Sequence, residues 1–368
     1  MPRTYRLLRV GLLVLLLLPV VSAWAQGDDV VSTVNGDTIT RTAFHARMRF
    51  VRWQYLRELD ALYEATGGQF ELVPSYVQNL LLNLEVPDAL GDAVLQQLEE
   101  ERLLWQTGEE LGVIPTAEDA QAQEDAFFSA WTDVPIAQLA TNQDAQTFIA
   151  EWYAGAEAAS GLSVNDIRIV FETEALRVKL FQHLSRNVPA EELAANTRHI
   201  LCGFFADDVT STDAPTVEQR EAAEACITEA RIRLANGEAF GDVARLLSTD
   251  PGSATGGGEL GWTKLSYLVE PYAEAVREAP LNTVVGPVET VYGLHLVEVL
   301  EREMEALTED ELEESQQGYF TLWVEDLWAA AAIERSEDWS VGLPTTPGLE
   351  TLDAELLTAL DEFRIQSD

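Results

Sequence analysis

The apolar positions fall into two textures. Val30 to Val34 alternates as a short strand, Asn35-Gly36 supplies a turn, and Asp37-Thr38-Ile39 returns, so a small hairpin is predicted. From an N-cap at Thr40 to about Ala65, Phe44, Met48, Val51, Trp53, Leu56, Leu59 and Leu62 recur at steps of mostly three and four, the spacing of a helix. Val94, Leu95, Leu98 and Trp105 mark a second helix stopped by Gly112, Thr116 with Asp119 restarts the chain, and Leu162 to Leu184 predicts another.

Near Asn196 this texture gives way to short apolar runs and glycine clusters, and it returns near Glu301. Between these points Arg198 to Phe205 reads as a strand, Thr216 with Gln219 as a capping box for a helix ending near Gly237, and Phe240 to Leu247 as a second helix. Asp250 to Gly261 is a glycine-rich loop, Glu270 to Glu278 a third helix, and Val285 to Val288 and Gly293 to Leu300 two closing strands. The order is β-α-α-α-β-β. Afterwards Thr308 with Glu311 opens a long helix whose Leu312, Phe320, Trp323, Leu327 and Ala330 share a face, and the polar stretch beyond Pro344 reads as a mobile tail.

Composition narrows the class. With 47% apolar residues and no apolar run of 18 beyond the N-terminus, the 368-residue chain is a folded protein rather than a disordered or polytopic one. Against 23 basic residues stand 63 acidic ones, a net charge of -40, which excludes partners with a phosphate backbone. Arg3, Arg6 and Arg9, the apolar Val10 to Val21 and Ala23-Trp24-Ala25 have the three parts of an export signal over residues 1–25. The expected location is extracytoplasmic, in the periplasm, cell envelope or medium, with membrane contact only through an uncleaved signal.

The chemistry gathers in the glycine-rich segment. It holds two of the four histidines, each inside a predicted strand: Arg198-His199-Ile200-Leu201 and Tyr292-Gly293-Leu294-His295. Between them lie Gly237-Glu238-Ala239-Phe240, Asp250-Pro251-Gly252-Ser253-Ala254, Gly257-Gly258-Glu259-Leu260-Gly261-Trp262 and Val285-Gly286-Pro287-Val288. Six such tetrads in order resemble the parvulin (PpiC) family of peptidyl-prolyl cis-trans isomerases across residues 196–302.

That resemblance implies an α+β domain of helices around a small antiparallel sheet, with rotamase activity and no cofactor. It implies catalytic roles for His199, Asp250, Tyr292 and His295, with Leu260, Leu268 and Tyr272 as the pocket for the proline ring. Two departures stand out: the loop after the first strand carries Asp207, Asp208 and Asp213 rather than a basic cluster, which argues against phosphorylated substrates, and Tyr272 replaces the usual Phe. The flanks, with Val34-Asn35-Gly36-Asp37-Thr38-Ile39-Thr40, Leu98, Leu103-Leu104, Gly112-Val113 and the helix containing Trp323, resemble SurA- and PrsA-type exported foldases.

The expected organisation is therefore a signal at 1–25, a helical chaperone module at 26–195, an inserted parvulin domain at 196–302, a helix at 303–344 completing the module, and a tail at 345–368. The expected function is isomerisation and chaperoning of unfolded or nascent exported polypeptides containing X-Pro bonds. The alternative is a holdase that keeps the parvulin fold only as a peptide-binding surface.

Metal chemistry finds no support, since no histidine pair has zinc spacing. The acidic runs Glu99-Glu100-Glu101 and Asp207-Asp208 read as solvated surface. Cys202, on a strand face opposite His199, and Cys226, on a helix stripe with Ala223, Ile227 and Ala230, are either a disulfide or two buried thiols. In the bonded case, the closed loop would contribute on the order of 3 kcal/mol.

Overall fold

Thr40 caps the first long helix as its position predicts, its hydroxyl accepting the Ala43 N–H at 3.3 Å. The structure is a computed structural model and describes residues 29–205 and 214–367; the expected signal at 1–25 and Asp207, Asp208 and Asp213 lie outside them. In chain order the elements are β1 (Val30–Val34), β2 (Asp37–Thr40), α1 (Arg41–Thr66), α2 (Pro74–Glu85), α3 (Pro87–Leu111), α4 (Ala117–Thr132), α5 (Ile136–Leu139), α6 (Gln143–Ser160) and α7 (Val164–Ser185). There follow β3 (Glu191–Gly203), α8 (Val217–Ala235), α9 (Phe240–Leu247), β4 (Glu259–Lys264), α10 (Glu270–Glu278), β5 (Val284–Thr290), β6 (Gly293–Ala306), α11 (Glu309–Ala330), β7 (Ile333–Arg335) and α12 (Ala354–Ser367). The chain divides into two compact units, one of residues up to His183 together with those from Thr321 onward, the other Leu184–Phe320.

The first unit is built from both ends of its sequence. Its sheet has the order β2-β1-β7, all antiparallel, so a strand from beyond residue 330 completes the N-terminal hairpin. Arg335 on β7 grips Glu99 on α3 through two hydrogen bonds of 2.8 and 2.6 Å, and Ser32 on β1 donates to the same carboxylate at 2.6 Å. Glu99 is therefore fully buried, and Glu100 and Glu101 pair with Arg177 and Arg47. This corrects the reading of these acids as solvated surface: arginine partners, bidentate at Glu99 and Glu101, compensate charges that sequence alone presents as a bare run.

The segment beyond Pro344 is not a mobile tail. Leu356, Leu360 and Phe363, spaced four and three apart on α12, are buried with Leu59, Phe70, Val77 and Leu81. Its many polar residues occupy the other faces of a short amphipathic helix, which made the composition look like that of a free terminus.

The second unit has a four-stranded antiparallel sheet of order β4-β3-β6-β5. Strand β4 is an element the sequence reading missed, because Gly256, Gly257, Gly258 and Gly261 make its start look like loop. The helix edges at Phe240, Leu247, Glu270 and Glu278 fall where the spacing placed them. The first strand starts at Glu191 rather than Arg198, and its ladder with β6 continues to Glu191 opposite Ala306. Cutting at 196 and 302 would sever that ladder, so the sheet itself reaches beyond the boundaries expected from motif positions.

The two faces of this sheet are differently furnished. Ile200, Cys202, Phe204, Leu294 and Leu296 pack against α8 and α9, while Ala195, Val297 and Val299 pack with Tyr272, Ala273 and Val276 of α10. The Cys202 and Cys226 sulfurs are bonded, with Cα atoms 5.9 Å apart.

Candidate functional site

Strand alternation brings the two histidines together. In the β3–β6 register Leu201 lies opposite His295, so His199, two residues from Leu201, is on the same face as His295 and diagonal to it. Both side chains are buried, and their Nδ1 atoms are 3.3 Å apart. Glycines let neighbouring backbone press close: the Gly258 carbonyl accepts the His199 N–H at 2.8 Å, Gly258 has φ +83°, and any Cβ there would stand 2.1 Å from the His199 carbonyl oxygen.

A short turn supplies the carboxylate. Asp250 Oδ2 lies 3.0 Å from His199 Nε2 and accepts the Ser253 N–H at 3.1 Å and the Ser253 hydroxyl, while Oδ1 accepts the Gly252 N–H at 3.2 Å. Burial pushes this carboxyl up, but the bonds from Ser253, His199 and Gly252 outweigh it, and the net shift is below the ordinary value. At the far end of the pair, Thr290 Oγ1 lies 2.8 Å from His295 Nε2 and accepts the Tyr292 N–H at 3.1 Å. Burial, and secondarily the charge of His199, pushes His295 down to about 3, with Asp250 opposing.

Tyr272 roofs the pair edge-on, with centroids 5.8 Å from His199 and 5.4 Å from His295. Its hydroxyl and that of Thr197 are both buried without a completed hydrogen bond. Burial raises the phenol well above its ordinary range, with the Thr197 hydroxyl opposing. Leu260 and Leu268 are half-buried against the apolar cluster that contains Tyr272, whose ring meets both histidines.

Of the expected catalytic residues, His199, Asp250 and His295 are joined and Tyr292 is not. Tyr292 is 41% exposed at the rim, and its contribution to the network is its backbone N–H. Ser253 and Thr290 complete the chain of hydrogen bonds without having been singled out; Ser253 lay inside a quoted motif, whereas nothing in the spacing distinguished Thr290. Among the described residues no group of three or more His, Cys, Asp or Glu is arranged for a metal ion, and no helix is long and apolar enough to cross a membrane.

Residues 178–303 match the family model of the PPIC-type PPIase domain. The chain carries a PPIC-type PPIase domain. Over 126 residues it is 35% identical to the chaperone SurA of Chromohalobacter salexigens, covering 32% of this chain and 29% of that one. Over 75 residues it is 39% identical to the foldase protein PrsA of Geobacillus kaustophilus, covering 20% of this chain and 27% of that protein. The chain thus spans less than a third of the length of either curated relative. A solved peptidylprolyl isomerase, PrsA from Bacillus cereus, aligns over 92% of this chain and 99% of its own with 16% identity and a TM-score of 0.37. The PPIase domain contains the whole His199–His295–Asp250 network described above.

Proposed function

We propose that the chain is an exported foldase: its PPIase domain isomerises X-Pro bonds in unfolded or nascent exported polypeptides, and its helical unit, completed by the segment from Thr321 onward, holds those clients. The observation that carries this reading is the buried His199–His295 pair, anchored by Asp250 and set beside Leu260, Leu268 and Tyr272. The relatives that match the domain are chaperones and foldases, which agrees with it.

The chemistry asks for little beyond this arrangement. Planarity of the X-Pro amide comes from resonance that places negative charge on the carbonyl oxygen, and the barrier to rotation is ~18 to 20 kcal/mol. In the twisted amide that charge withdraws from oxygen and the nitrogen lone pair localises. An apolar pocket formed by Leu260, Leu268 and Tyr272 grips the ring and favours the less polar twisted form. The Asp250 carboxylate, beside the carbonyl, disfavours the planar form more than the twisted one. The histidine pair keeps Asp250 in place, and no bond to the substrate is made or broken.

The test is isomerisation of proline peptides by the full chain, measured by exchange spectroscopy, beside suppression of aggregation of an unfolded exported protein. Both activities are expected. A chain that suppresses aggregation but leaves the exchange rate at its uncatalysed value overturns the isomerase reading and leaves a holdase.

A further inference from the structure

The turn that delivers Asp250 hangs from β3 by side chains that the proposed reaction does not use. Ser248 Oγ accepts the Leu201 N–H at 3.1 Å and lies 3.4 Å from the Asp250 N–H. The Thr249 hydroxyl accepts the Gly203 N–H at 2.9 Å and donates to the Leu201 carbonyl at 3.1 Å, which also accepts the Thr249 N–H at 2.8 Å. Cys202 sits between Leu201 and Gly203, and its partner Cys226 on α8 has its sulfur 3.7 Å from the carbonyl oxygen of Leu247. Leu247 ends α9 and immediately precedes Ser248. One covalent bridge therefore braces both supports of the turn, the strand it hangs from and the helix it grows out of.

We propose that the Cys202–Cys226 disulfide, acting through Ser248 and Thr249, is a positioning element for Asp250, so that isomerase activity depends on the oxidation state of this pair. The inference rests on the isomerase reading of the site. Cys202 is 1% exposed and Cys226 is partly exposed, so a dithiol reductant enters at Cys226. Its thiolate attacks that sulfur, the Cys202 thiolate leaves and takes up a proton, and the second reductant thiolate resolves the mixed disulfide. Two electrons and two protons pass to the protein sulfurs, and the reductant departs as a cyclic disulfide.

A purely stabilising bridge would lower the unfolding temperature on reduction and leave the folded site alone. A positioning bridge changes the folded site. The discriminating readout is the imidazole proton signal of His199 Nε2–H, held by Asp250, in the full chain before and after reduction with dithiothreitol at a temperature where circular dichroism shows it folded. Loss or broadening of that signal, with kcat/KM falling about tenfold, is expected. In the oxidised chain Thr249→Val should have the same effect and Thr249→Ser should restore both readouts. An unchanged His199 signal in the reduced, folded chain overturns the proposal even if the unfolding temperature drops. If reduction unfolds the domain, a Thr249→Val chain with a native His199 signal overturns it. An oxidised chain without isomerase activity overturns the functional reading instead, and the His199 signal still decides the positioning.

Discussion

The Nδ1 atoms of His295 and His199 face each other at 3.3 Å, so a hydrogen bond between them needs one donor and one acceptor. Asp250 settles which is which. Its carboxylate accepts from His199 Nε2, which places a ring proton there and leaves Nδ1 of His199 as the acceptor in the pair. His295 must then donate from Nδ1 and accept the Thr290 hydroxyl at Nε2. Thr290 in turn accepts the Tyr292 N–H, so both ring nitrogens of each histidine have a hydrogen-bond partner in this network.

This proton arrangement makes the PPIase domain sensitive to acid. Buried His295 titrates at about 3 in the folded chain, whereas the unfolded chain takes up that proton near ~6.5. Between those values the unfolded state binds the extra proton, so the contribution is full above the upper value and drains as the pH falls, by on the order of a few kcal/mol. Asp250, whose folded carboxyl lies below its ordinary value, adds a loss in the same direction at lower pH. Urea midpoints read by hydrogen exchange in β3 and β6 should fall between pH 6.5 and 4, and His295→Asn should flatten that dependence even though it lowers the starting stability.

Leu268→Ala should separate the two proposed activities. Leu268 is half-buried beside Tyr272, so the truncation empties part of the pocket while leaving the sheet and the histidine pair in place. Proline-peptide exchange should slow about tenfold or more, whereas suppression of client aggregation should change little. Equal loss of both in a folded variant would remove the division of labour.

What could be read in the sequence follows from which forces are local. Thr40, Thr116 and Thr216 cap their helices because capping is a contact over three residues, and apolar spacing showed the buried stripes of α1 and α3. His199, Asp250 and His295 were legible only through ordered motifs, since 51 and 96 residues separate His199 from its two partners and no local rule joins them. Strand β7 was missed because three residues become a strand only when β1 is beside them. Strand β4 hid behind glycines whose purpose, letting the loop pass the His199 backbone, appears only once the sheet is assembled.

Tyr272→Phe removes a hydroxyl that is buried without a completed hydrogen bond. Desolvating such a group costs ~1 to 3 kcal/mol, so the variant should unfold at an equal or higher temperature. The ring contacts to both histidines survive, and isomerisation should be maintained or faster. A clear loss of activity in Tyr272→Phe would show that the hydroxyl serves the reaction.

Phe363 reports on the C-terminal segment. Its ring is 2% exposed and meets Phe70 edge-on at 6.1 Å. Phe363→Ala should cost the first unit ~3 to 5 kcal/mol by lost burial and the cavity left behind. Thermal unfolding should show this, while exchange protection in β3 and β6 should remain. A chain ending at Asp353 that unfolds no earlier than the whole would mean that α12 is dispensable.

The Glu99–Arg335 pair ties early and late segments of the first unit through a buried charge: Glu99 is 0% exposed and takes two bonds from one guanidinium. Arg335→Ala would leave that carboxylate with only the Ser32 hydroxyl, and an uncompensated buried charge costs ~3 to 5 kcal/mol. The loss should be partly recovered by adding Glu99→Gln, which keeps the volume and removes the charge. Denaturant midpoints of the four chains in this cycle give the coupling directly. Additive losses, with no recovery in the double variant, would show that Arg335 acts through its other partners, Asp92 and the Trp339 ring over which its guanidinium sits at 5.8 Å, rather than through Glu99.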